Sequence, residues 1–152
     1  MVVEGINLSS PAIEISATTY INTIPDVVTE TTEIDTSEME SSYENSSTLL
    51  ENVGLLLIVE SRDEDQQSAV REELTTYISA AKLYLEAYAE TLEYYTSETY
   101  KEDISKVETL DENLHANYNT FMEANNDLVE TLDSYVDNEE ETVEEVEETE
   151  ES

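Results

Sequence analysis

Cysteine and tryptophan are absent, glycine and proline occur twice each, and lysine plus arginine number only five. Each scarcity excludes something. Without cysteine there are no disulfides, no thiolate metal sites and no cysteine nucleophile. Two glycines cannot build a phosphate-cradling loop or a nucleophile elbow. The longest apolar run, "VGLLLIV" over Val53–Val59, is seven residues, far below the roughly 20 that a membrane span needs. The opening "MVVEGINLSS" has neither a basic n-region nor a long apolar stretch, so it does not read as a signal peptide. The expectation is a cytoplasmic chain. "NLS" at Asn7 and "NSS" at Asn45 would be glycosylation acceptors only outside the cell, and such triplets arise easily by chance.

What is plentiful is acid. Asp and Glu number 39 in 152 residues, for a formal charge of −34, and the last basic residue is Lys106. The end, "DNEEETVEEVEETEES" from Asp137 to Ser152, holds nine glutamates and one aspartate in sixteen residues. Without it, 29 acids still face five bases. Direct binding to DNA, RNA or anionic lipid is therefore disfavoured, and basic proteins and cations are the natural partners. Charge alone would suggest disorder. Yet 38% of the residues are hydrophobic and ten are tyrosine, and their spacing is ordered. The length suits one domain with a single core.

The strongest pattern spans Asp63–Ser97. Val70, Leu74, Tyr77, Ala81, Tyr84, Tyr88 and Tyr95 step by alternating fours and threes, missing only at Thr91. This period near 3.5 predicts an interhelical seam, which Leu85 and Leu92 widen into a core-facing stripe. Asp63, Glu64 and Asp65 complement the dipole of the first turn. Asp103–Asp137 repeats the pattern with Val107, Leu114, Tyr118, Phe121, Leu128, Leu132 and Tyr135, and puts Asn125 at a seam position, where a buried amide fixes register. The short polar "SETYKED" between the two stretches suits an antiparallel hairpin.

A third helix is expected over about Thr36–Glu60, where Met39, Tyr43, Leu50, Val53 and Leu57 keep the rhythm and small Ser46 fills one slot. Leu55, Leu56 and Ile58 make its end apolar all round, and Gly54 weakens it locally. "ESRDED" reads as the turn into the long helix. The first 33 residues admit two readings. Ser10 as N-cap and Pro11 at the first helical position would start a short helix with Ile13, Ala17, Tyr20 and Ile24 on one face, ending before Pro25. Ile13, Ile15, Ala17, Thr19 and Ile21 also alternate as a strand would. A lone strand would have no partner in a helical chain, which favours the helix. Half of Thr29–Thr48 is Ser or Thr, which suits a flexible joint.

The resulting expectation is an all-α antiparallel helical bundle built on a long coiled-coil-like hairpin. Residues 1–35 form an N-terminal segment, 36–137 the bundle domain and 138–152 an acidic disordered tail. Val143 and Val146 continue the seam spacing, so the last helix could extend once charge is screened.

Three explanations of the acidity compete. The first is solvent adaptation. At molar salt the Debye length falls to about 3 Å, so a dense carboxylate surface scarcely repels itself. Near-absence of lysine and acids spread along the whole chain match the compositional style of halophilic cytoplasms. The second is imitation of DNA by an inhibitor of a nucleic-acid-binding enzyme. Asp63–Asp137 carries 19 acids, about one per 2.7 Å of a hairpin roughly 50 Å long, against about one per 1.7 Å in duplex DNA. The third is a phasin-like coat, with apolar helix faces laid on a storage granule.

No chemistry-bearing constellation stands out. His115 is the single histidine and follows Leu114, which puts it at the seam's edge or in solvent. Pairs such as Asp111/Glu112 arise by chance among so many carboxylates. "DEDQQS" lacks the turn glycine and distal glutamate of an EF-hand, which leaves weak nonspecific Ca²⁺ or Mg²⁺ binding along the tail. Tyr84, Tyr88, Tyr95, Tyr118 and Tyr135 read as core-edge rings whose hydroxyls reach water, in preference to a ladder for stacking bases. The chain is thus expected to be no enzyme, with no catalytic, cofactor-binding or metal-ligating residues and no cofactor. Its expected role is a structural or protein-interaction helical module in a high-salt cytoplasm, binding a protein with a basic patch or itself.

Overall fold

The computed structural model describes residues 2–55 and 64–151. The order is α1 (Val2–Thr23), α2 (Ser37–Leu55), α3 (Glu64–Thr96), the short α4 (Thr99–Glu102), a 3-10 turn at Ile104–Lys106 and α5 (Val107–Glu151). There is no strand among the described residues. The expected end of the second helix, residues 56–60, and the "SRD" of the following turn lie outside them.

α3 is the axis. It packs chiefly on α5 and also on α2, while α1 packs chiefly on α2. Leu74, Tyr77, Ala81, Tyr84, Tyr88 and Tyr95 are buried, as the spacing predicts, and so is Thr91. Thr91 keeps its slot in the stripe because its hydroxyl donates to the Ala87 carbonyl at 2.9 Å, leaving the methyl to pack. Ile78, Ala80, Ala87 and Tyr94 are buried on other sides of α3, because neighbours cover it from more than one direction. The ring of Tyr77 lies 5.3 Å from Phe121 and that of Tyr84 5.6 Å from Tyr118. Residue numbers rise along α3 as they fall along α5, so the two helices run in opposite senses.

α1 belongs to the same core. Ile13, Tyr20 and Ile24 join Met39, Leu50 and Val53 of α2 and the α3 and α5 residues in one hydrophobic cluster. The helical reading of this segment holds over the strand, but its start differs. α1 begins at Val2, so Ser10 is no N-cap and Pro11 sits inside the helix. An interior proline removes one backbone hydrogen bond. Pro11 faces outward, where water can take up the carbonyl left over. Ser10 faces inward and is buried.

The α3–α5 connection is less polar than its letters suggest. Tyr100 in α4 is buried against Tyr94 and Tyr95, and its hydroxyl donates to the Thr32 carbonyl at 2.7 Å. Glu98 leaves α3 at φ 62°, the left-handed conformation that commonly ends helices and usually selects glycine. Asp103 is extended and accepts from the Ser105 amide at 3.0 Å, so α5 starts at Val107 instead of Asp103. At the far end α5 runs to Glu151, where a disordered tail was expected from residue 138. Glutamate is a good helix former, and Val143 and Val146 continue the α5 spacing.

Candidate functional site

The least ordinary part of the molecule is a polar seam inside the core. α1 presents Ser9, Ser10 and Ser16 inward, all buried. α3 presents Tyr77, Tyr84 and Tyr88 to them, and α5 contributes buried Asn125. Counting protons fixes the directions. Ser10 donates to Asn125 Oδ1 at 2.7 Å, so in its 2.8 Å contact with Tyr77 the phenol must donate. Ser9, 2.6 Å from the same phenol oxygen, then supplies its own proton to it. The result is a relay from Ser9 through Tyr77 and Ser10 to Asn125. A turn and a half further on, Ser16 donates to the Ile13 carbonyl at 2.6 Å and accepts from Tyr84 at 2.8 Å. Tyr88 donates to the Ser16 carbonyl at 3.1 Å.

This corrects the expectation that the tyrosine hydroxyls reach water. The rings of Tyr84 and Tyr88 are wholly buried, and their hydroxyls are satisfied by α1. A buried hydroxyl needs a partner, and serine supplies one without filling space that the rings occupy. The signal was present: Ser9 and Ser16 are seven apart, as are Tyr77 and Tyr84. Tyr118 is half-buried, closer to the edge position expected of it. Tyr95 is buried but its hydroxyl has no partner. Side-chain facts for Tyr135 lie outside the described residues.

A second cluster lies near the end of α1. Tyr20 donates to Asp111 Oδ1 at 2.7 Å. His115 Nδ1 is 2.9 Å from the Asp111 carbonyl and 3.4 Å from its Oδ1. The rings of Tyr20 and His115 meet edge to face at 6.5 Å. His115 is exposed, as its position after Leu114 implies. Asp111 is drawn in by Tyr20, whereas Glu112 beside it is exposed and takes no part. The chance pair is not a pair in space.

These phenols are donors, not bases. Burial first, then the Asp111 carboxylate, pushes Tyr20 far above the usual phenol range. Burial likewise raises Tyr77, Tyr84 and Tyr88, and it lifts Tyr95 to about 12. At neutral pH all of them keep their protons, and the hydroxyls of Tyr20, Tyr77, Tyr84 and Tyr88 tie one helix to another. Among the described residues, no group of three or more histidines and carboxylates is arranged to hold a metal ion, and no helix is long and apolar enough to cross a membrane.

The surface is the counterpart of this interior. No Asp, Glu, Lys or Arg is buried as a whole residue among the described residues, although one carboxylate oxygen of half-buried Glu73 is shielded from solvent without a hydrogen-bond partner. Lys101 reaches Glu33 at 3.5 Å and Glu98 at 3.2 Å, but five bases cannot neutralise 39 acids. Comparison of the chain with protein-family models, with curated proteins and with solved structures finds no match in any of the three.

Proposed function

We propose that the chain is a non-catalytic structural module for protein–protein contact, with a surface suited to a cytoplasm of molar salt. In this reading α3 and α5 act as a coiled-coil-like hairpin, and the segment from Asp137 is an acidic extension that attracts basic partners and loosely held cations. The observation that carries it is the separation of charge among the described residues: a core whose fully buried side chains are all uncharged, inside a shell of carboxylates with few cations, from which half-buried Glu73 turns one oxygen inward. Two exposed charges 10 Å apart repel by about 0.4 kcal/mol in water. Summed over dozens of pairs, that rivals the roughly 5–15 kcal/mol by which a domain is stable. At molar salt the repulsion is screened within about 3 Å. Acid-rich surfaces of this kind cost little there and much in dilute buffer.

Circular dichroism from about 0.1 to 3 M KCl tests the reading. Helix content and melting temperature should both rise steeply with salt. A chain equally folded at both ends of that range would overturn salt adaptation and favour an inhibitor that imitates nucleic acid. Capture of DNA-binding enzymes on the immobilised chain, competed by duplex DNA, would then identify it.

A further inference from the structure

We infer that the outward face of α1 is the surface on which a second copy of this chain docks. This rests on the reading above of a structural module for protein–protein contact and names its contact. α1 holds two acids in 22 residues, whereas α5 holds 17 in 45. From Asn7 to Thr23 the single charged residue is Glu14. On this stretch the solvent meets Leu8 at 59% exposure, Ile15 at 60% and Ile21 at 62%. Leu8, Pro11 and Ile15 step by three and four and so share one stripe, all exposed, whereas Ile21 lies about a third of a turn round the helix from Ile15, beyond Glu14.

Charge decides the occupant. A basic partner gains most on the carboxylate faces of α2, α3 and α5 and nothing on this strip. Two copies of a chain with charge −34 repel wherever acidic faces meet. They come together at least cost where each presents α1. Since each copy carries the same strip, two strips close on one another about a two-fold axis and leave the acids outside. Three exposed aliphatic side chains and their neighbours cover well under the roughly 800 Å² per partner of a standard stable complex. The dimer is therefore weak. Its salt dependence is the reverse of that expected when opposite charges meet: screening removes the residual repulsion and strengthens it.

Sedimentation velocity on the full chain, from about 10 μM to 1 mM in 0.2 M and 3 M KCl, tests this alongside circular dichroism of the same samples. The expected result is a monomer that becomes a dimer as salt and concentration rise. Leu8→Glu/Ile15→Glu should weaken the dimer by about tenfold or more at unchanged helix content. Should the glutamates lower helix content, Leu8→Gln/Ile15→Gln replaces them and should weaken the dimer in the same direction. A wild-type chain monomeric throughout, a dimer indifferent to both double variants, or association that falls with salt would overturn the assignment. So would flotation of the monomer with phosphatidylcholine vesicles that depends on Leu8 and Ile15, because the face would then belong to lipid. Helix content that does not respond to salt would defeat the proposed salt adaptation alone, as the dichroism is read independently of the sedimentation.

Discussion

At the scale of single residues, two buried tyrosines provide a matched comparison. The Tyr77 hydroxyl accepts from Ser9 and donates to Ser10, whereas the Tyr95 hydroxyl has no partner. Removing the first strands serine groups in the core, and removing the second strands nothing. Tyr77→Phe should therefore cost about 1–3 kcal/mol, and Tyr95→Phe should be neutral or slightly stabilising. Urea unfolding in 3 M KCl compares the two directly. An equal loss in both variants would show that the serine contacts contribute no net stability. The Tyr20–Asp111 bond differs in kind, since its acceptor is a carboxylate at the edge of the core and not a hydroxyl within it.

At the scale of elements, the chain was legible wherever one stripe met one neighbour. Met39, Ser46, Leu50 and Val53 of α2, and Leu114, Phe121, Asn125 and Leu128 of α5, are buried where the spacing places them. What was not legible depended on tertiary partners. Nothing in α3 alone says that Tyr84 and Tyr88 will meet serines from α1, some 70 residues away in sequence. α1 itself was ambiguous because its β-branched residues alternate as a strand would, and its start was misplaced because Pro11, which reads as a first helical position, sits inside the helix. Packing of Ile13, Tyr20 and Ile24 into the common core outweighs that preference. An interior proline costs up to about 3 kcal/mol, and Pro11 is exposed, so nothing packed is lost on replacing it. Pro11→Ala should restore a backbone hydrogen bond to Asn7 and stabilise the protein by about 1–3 kcal/mol. Its melting temperature should rise by several degrees, measured by circular dichroism.

For the whole molecule, alkali provides a test independent of salt. Burial raises the phenols in the folded state while the unfolded chain ionises near pH 10. Above that value the unfolded form binds fewer protons than the folded one, so stability is complete below about pH 10 and falls as pH rises further. Tyr95 sets a landmark at about 12. The chain should unfold cooperatively between these values in 3 M KCl, with tyrosinate absorbance near 295 nm rising in step with loss of helix. Gradual ionisation at constant helix content would contradict the burial described for these rings. The relay from Ser9 to Asn125 has one more consequence, for how the protein reaches its native state. An interior lined with oil alone would let α1 settle a turn too high or too low with little complaint. Here each such misstep would abandon several hydroxyls in a dry interior at once, so near-miss arrangements are too unstable to linger and the collapsing chain is steered to a single alignment.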